Sequence, residues 1–264
     1  MLEIKNVYKT FNAGTVNEKV ALKGLDLTLE DGDFVTVIGG NGAGKSTMLN
    51  AVAGVWPVDM GKIIIDGKDV TRLSEHQRAK YIGRVFQDPM MGTAATMQID
   101  ENLALAARRG LARTLKTGIT KKEHDEYYEL LKTLDLGLEN RMSSKVGLLS
   151  GGQRQAVTLL MATLQKPKVL LLDEHTAALD PKTADKVLRL SNDIIKDHNL
   201  TALMVTHNMQ NAIDYGNRLI MMDNGRVILD IQGEEKQQLT VADLLRKFEQ
   251  VSGTEFVNDR ALLA

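Results

Sequence analysis

Apolar and polar side chains alternate along residues 2–7 and again along 25–29, the period of strands with one buried face. The turn at 30–33 leads into Phe34-Val35-Thr36-Val37-Ile38, a run that suits a buried strand. A glycine-rich loop follows, then a helical stretch over 45–53, then a strand and turn over 62–67. From about residue 100 to 138 the period becomes helical: Leu103, Ala106 and Ala107, then Tyr127, Leu130, Leu131 and Leu134, fall on repeating faces. Strand patterns return at 169–172, 202–205, 219–222 and 227–231, with helical patterns between the first three. Such alternation predicts an α/β fold with a parallel sheet covered by helices. The middle reads as a helical insert, about residues 90–160, within one domain over 1–240, followed by a helical tail over 241–264.

Composition narrows the classes of function. The formal net charge is −1, which gives no electrostatic case for nucleic acid as a partner. There is no cysteine, so disulfides and thiolate metal sites are excluded and a reducing compartment is favoured. The first residues, Met1-Leu2-Glu3-Ile4-Lys5, lack the basic and apolar regions of a signal peptide. Val169-Leu170-Leu171-Leu172 is far too short to span a bilayer, so any membrane part would come from another chain.

The chemistry concentrates in a few motifs. Gly39-Gly40-Asn41-Gly42-Ala43-Gly44-Lys45-Ser46 fits the phosphate-loop pattern G-x-x-x-x-G-K-[ST] between a predicted strand and a predicted helix. Glycines let backbone N–H groups curl around an anion, and the following helix, with Thr47 in its first turn, aims its positive end at the same point. Lys45 can reach the β- and γ-phosphates, and the Ser46 hydroxyl can ligate Mg²⁺. The apolar run 169–172 ends in Asp173 and Glu174. Asp173 suits Mg²⁺, directly or through water, and Glu174 suits the polarising of an attacking water. Strand 203–206 ends at His207, where a γ-phosphate contact is expected; Gln87 also ends a short β-like run.

Leu149-Ser150-Gly151-Gly152-Gln153-Arg154-Gln155 resembles the ABC signature motif, and the whole chain resembles an ABC ATPase, with the matching motifs in the family's order from Phe11 to His207. Read physically, Ser150 can cap a helix whose glycines expose N–H groups, a second anion site beside the phosphate loop. The resemblance implies a P-loop NTPase (RecA-like) core with a parallel sheet, an N-terminal antiparallel β region and an inserted α-helical subdomain. It implies ATP and Mg²⁺ as cofactors. It also implies a homodimer holding two ATP molecules between the phosphate loop of one copy and Ser150, Gly151, Gly152 and Gln153 of the other. By position Phe11 matches the residue stacking on adenine, with Tyr8 as a substitute; Asp180 matches the loop signalling across the dimer. Gln87 matches the residue that ligates Mg²⁺ and senses the membrane subunit.

Two departures stand out: Gly40 where many relatives carry proline, and His175 where proline usually follows the glutamate. The first is harmless to phosphate binding, and the second is read as benign rather than as a pH sensor.

Among ABC proteins, a transporter motor is favoured over a soluble ATPase of translation or chromosome maintenance, and over a binding module without turnover. The chain has one ATPase half, a short insert in place of long coiled coils, and an intact Glu174. The implied partners are multispanning membrane permease subunits and an extracellular solute-binding protein, with the chain peripheral on the cytoplasmic side of a bacterial membrane. A separate ATPase chain suggests an importer over an exporter, and 173–180 resembles importer ATPases, some linked to amino acids. Arg108, Arg109, Arg113, Lys116, Lys121 and Lys122 read as a solvated face offset by Glu123, Asp125 and Glu126, with lipid head groups a secondary role.

Overall fold

The computed structural model describes residues 1–111 and 118–252. In chain order the elements are β1 Leu2–Phe11, β2 Lys19–Leu29, β3 Phe34–Ile38, α1 Lys45–Ala53, β4 Met60–Ile65, β5 Lys68–Asp69 and α2 Glu75–Arg78. Next come β6 Ile82–Val85, α3 Ile99–Ala107, α4 Lys121–Lys132, α5 Gly151–Thr163, β7 Val169–Asp173 and α6 Pro181–Asp197. Last are β8 Ala202–Val205, α7 Met209–Asp214, β9 Arg218–Asp223, β10 Arg226–Gln232, α8 Gly233–Gln237 and α9 Val241–Ser252. Two compact units divide the chain: Met1–Arg78 with Asn199–Ala264, and Ala79–His198.

In the first unit the alternation of 2–7 and 25–29 becomes an antiparallel sheet in the order β2-β1-β4-β5. Leu2, Ile4 and Val7 are buried on one face, with Leu25, Leu27 and Leu29 beside them. Strand β3, buried at all five positions, lies between β8 and β9 and is parallel to both. The stretch 227–231 is the antiparallel arm of a hairpin with β9. Asn224 (φ 46°) and Gly225 (φ 77°) turn it, both left-handed, as a tight hairpin requires.

Helices α7 and α9 cover β9 and β10 through Met209, Ala212, Leu219, Met221, Leu244 and Phe248. Two buried cations hold helix ends. Arg78 donates to the Ala51 and Val52 carbonyls at 2.7 and 2.8 Å, closing the C-terminal end of α1. Lys236 donates to the Ile213, Tyr215 and Gly216 carbonyls at the end of α7, and desolvation pushes its amine down to about 8.

In the second unit β6 and β7 run parallel. The helical period of 100–138 yields α3 and α4, whose Ile99, Leu103, Tyr127 and Leu131, with Leu134 just past α4, pack with Val157 and Leu160 of α5. Leu103 and Leu131 have no exposed surface, and each such burial contributes about 2 kcal/mol. Arg108 is tied to Glu123 at 2.8 Å and Arg109 to the Ala162 carbonyl at 3.1 Å, while Lys121 and Lys122 are exposed. Arg113 and Lys116 lie outside the described residues, as does the tail beyond 252. Among the described residues no helix is long and apolar enough to cross a membrane.

Candidate nucleotide site

The phosphate loop begins where β3 stops. Gly39, Gly42 and Gly44 take φ values of 148°, 82° and 104°, which side chains resist. Space forbids them as well: a Cβ on Gly39 would stand 2.2 Å from the Met222 carbonyl oxygen, and one on Gly44 would stand 2.8 Å from that of Ala21. The loop is pinned from outside, because the Gly225 amide donates to the Ala43 carbonyl at 2.9 Å. Gly40, the departure from proline, has open space around it.

Helix α1 starts at Lys45 with no side-chain cap and no acidic residue in its first turn. Its positive end is therefore left to an anion. The Lys45 amine, almost wholly buried, donates to the Gly39 and Gly40 carbonyls at 2.6 and 3.1 Å. Asn41, Gly42 and Ser46 are exposed, and Thr47 is half-buried.

Strand register brings His207 to this loop. Val37 pairs with Val205, so Gly39 and His207 stand the same two residues past that pair on adjacent parallel strands. Phe11, at the end of β1, meets Trp56 edge-on with centroids 4.9 Å apart. Tyr8 is not at that end of the strand; its hydroxyl sits over Gly24, 2.8 Å from where a Cβ would stand.

The second unit carries the remaining candidates. Val85 pairs with Leu172, so Gln87 and Glu174 stand two residues past the pair on neighbouring strands. Asp173 is half-buried and meets the Arg84 guanidinium at 3.4 Å, while Arg84 lies over the Phe86 ring. Glu174 holds φ at 45°, a left-handed conformation worth about 1–3 kcal/mol of strain, and its carbonyl accepts from the Ala177 amide at 2.9 Å. Asp180 caps α6 by accepting from the Thr183 amide at 3.1 Å, and the Thr183 side chain, with that amide, holds its carboxyl below the ordinary range.

Ser150 caps α5 in a reciprocal box: its hydroxyl accepts from the Gln153 amide, and the Gln153 side chain accepts from the Ser150 amide. Gly151 is exposed, whereas Gly152 is required by packing, since a Cβ there would lie 2.1 Å from the Thr183 methyl on α6. Two supporting side chains, Arg84 and Thr183, lie outside the motifs, and a third, Gln155, closes the signature run without an assigned role. Arg84 pairs Asp173, Thr183 closes on Gly152, and Gln155 donates to the Phe86 carbonyl at 3.0 Å, next to Gln87. Gln155 is one of several polar side chains that α5 buries, with Arg154, Thr158 and Thr163.

His175 is buried, and its Nε2 lies 2.9 Å from the Ser191 hydroxyl. That hydroxyl donates to the Val187 carbonyl at 2.8 Å, so Nε2 must carry the proton and donate. Desolvation lowers its pKa from 6.5 to about 4, so the ring is neutral near pH 7 and is no sensor there. The unfolded chain takes up this proton first on acidification. The stabilisation is therefore complete above about pH 6.5 and lost towards pH 4, amounting to about 3 kcal/mol. His175→Gln keeps a donor without the titration. Denaturant melts from pH 7 to 4 are expected to show a correspondingly shallower acid loss; an unchanged slope would remove His175 as its source.

The residues fit the groups expected there. A glycine cradle, an uncapped helix start and a lysine suit a triphosphate. Mg²⁺ arriving with phosphate oxygens and waters needs one hydroxyl and a carboxylate rather than an all-protein cage. Among the described residues no group of three His, Cys, Asp or Glu forms such a cage.

A loop of this build on a parallel α/β sheet defines a P-loop nucleotide-binding protein. The "ABC transporter" family profile matches residues 22–177. The chain is 45% identical to a tyrosine transport ATP-binding protein of Clostridioides difficile, over 94% of this chain and 99% of that one. It is 33% identical to a phosphonates import ATP-binding protein of Lactobacillus johnsonii, over 92% and 95%. A solved dimeric ATP-binding cassette in a post-hydrolysis state with ADP and Pi superposes with TM-score 0.74 at 31% identity, covering 88% of this chain and 98% of that one. The chain belongs to the ABC transporter family, as an ATP-binding, ATP-hydrolysing subunit with the P-loop NTPase fold.

Proposed function

We propose that this chain powers the import of a small solute of the amino-acid class, as a homodimer closing around two Mg-ATP. The observation that carries the substrate class is the near-full-length likeness to the tyrosine transport subunit. The phosphonates and methionine relatives, at 33% and 36% identity, are import proteins and support the direction. In this reading residues 39–47 hold the phosphates, and Phe11 stacks on adenine. Ser46, Asp173 and Gln87 serve Mg²⁺, Glu174 positions the water, and His207 meets the γ-phosphate. Ser150, Gly151, Gly152, Gln153 and Asp180 serve the nucleotide of the other copy.

The partners are multispanning permease subunits and an extracellular solute-binding protein, with the chain peripheral on the cytoplasmic face of a bacterial membrane. The domain runs over 1–240, with 90–160 as the inserted helical subdomain and 241–264 as a tail. Uptake of labelled tyrosine, other amino acids and a phosphonate by cells lacking and regaining this chain tests the reading. Restored amino-acid uptake is expected. Restored phosphonate uptake alone, or restored efflux, overturns it.

In this reading the permease docks between the Gln87 region and the helices near Leu103 to Leu134. Met91 is 66% exposed there, an apolar side chain with no cover. Met91→Glu is expected to cut transport about tenfold while basal ATP hydrolysis stays within about twofold. Parallel uptake and phosphate-release assays measure both, and a variant transporting normally moves the docking surface elsewhere.

A further inference from the structure

Lys19 opens β2 directly opposite Phe11 in the β1–β2 register. Its side chain is exposed, and its ammonium lies 3.4 Å from where a Cβ on Gly42 would stand, against the outer edge of the phosphate loop. Lys9 and Lys45 are engaged: Lys9 pairs with Asp59 at 3.3 Å, and Lys45 bonds the Gly39 and Gly40 carbonyls. Glu18, the adjacent carboxylate, is taken by the Gly14 amide at 2.6 Å. Among the described residues Lys19 has no carboxylate or carbonyl partner.

We propose that Lys19 is a further nucleotide-binding residue, its ammonium contacting the phosphate chain between the base platform at Phe11 and the loop at Gly42. The inference rests on residues 39–47 being the phosphate site. An ammonium on a flexible stem suits this duty, because it follows a point charge without demanding fork geometry. It stands beside Phe11 across the β1–β2 register, so in this reading it lies on the base side of the loop, toward the first phosphates of the chain rather than the terminal one. Its contact is therefore made equally with ATP and ADP, and it stabilises bound nucleotide without favouring the transition state.

Titrations of ATP, ADP and adenosine into wild type, Lys19→Met, Lys19→Arg and Lys45→Ala, with steady-state hydrolysis alongside, test this. Lys19→Met is expected to weaken ATP and ADP alike by about fivefold to tenfold and leave adenosine unchanged. KM for ATP should rise by the same factor with little change in kcat. Lys19→Arg should retain most of the affinity, and the salt dependence of ATP binding should flatten in Lys19→Met. Unchanged ATP and ADP affinity in Lys19→Met overturns the proposal, as does an equal loss for adenosine, which would mark a reshaped base platform. If Lys45→Ala loses ATP and Lys19→Met does not, Lys19 fails and the loop stands. If both bind ATP like wild type, the loop itself is misassigned.

Discussion

Lys45→Ala is expected to lower ATP turnover by about a thousandfold or more, the scale set by losing a preorganised cation from the transferring phosphoryl group. The amine is almost wholly buried and donates to the Gly39 and Gly40 carbonyls, so it is already aimed into the loop. A phosphate oxygen is a better partner than a carbonyl, because it opposes the ammonium with a full charge where the carbonyl offers a dipole. The variant removes the charge, frees two loop carbonyls and removes the stem that packs beneath the loop. Lys45→Met frees the same carbonyls but keeps the apolar stem, so the pair separates the loss of the ammonium and its bonds from the loss of packing. Both variants should melt within a few degrees of wild type, and both should lose phosphate release measured by a coupled assay. Wild-type turnover in either would show that nucleotide is handled elsewhere.

The phosphate loop was legible because its chemistry is local. Three glycines with left-handed φ, a strand before and a helix after lie within consecutive residues, and periodicity placed β3 and α1 without tertiary knowledge. Ser150 as a cap was equally local, since a capping box spans only Ser150 to Gln153. What stayed hidden depends on contacts between distant segments. Gly152 reads as a ligand-facing glycine, yet a methyl from Thr183, thirty-one positions on, already demands it. His175 reads as a benign replacement for proline, and the reason it is neutral, burial against Ser191 on α6, lies sixteen positions away. Phe11 was the base platform by sequence, with Tyr8 as its substitute. Only the irregular register of β1 against β2 sends Tyr8 to Gly24 and leaves Phe11 by Trp56. The antiparallel return of β10 was marked by Asn224-Gly225, a turn signal that a reading for parallel alternation passes over.

Glu174→Gln is expected to lower kcat by about a hundredfold to ten-thousandfold, the range for a lost general base, while Mg-ATP affinity stays close to wild type. Glutamine keeps the shape and tolerates the left-handed backbone at φ 45° about as well, so the turn held by the Ala177 amide should persist. With hydrolysis stopped, ATP remains bound. If the Ser150 helix start of one copy serves the nucleotide of another, binding free energy becomes association free energy. The variant should then run as a dimer with ATP and as a monomer without it, by size exclusion with light scattering. Ser150→Arg added to it should abolish that dimer, because a long side chain fills the anion site, and should leave ATP binding by the monomer intact. The same change also breaks the capping box, at a cost of about 1 kcal/mol. Ser150→Ala in the Glu174→Gln background is the control, since it loses the cap without filling the site, and its dimer should weaken rather than vanish. A stable ATP-dependent dimer in the Ser150→Arg double variant, or a Glu174→Gln protein that stays monomeric with ATP even when assembled with its permease, would show that the two anion sites are not shared between copies.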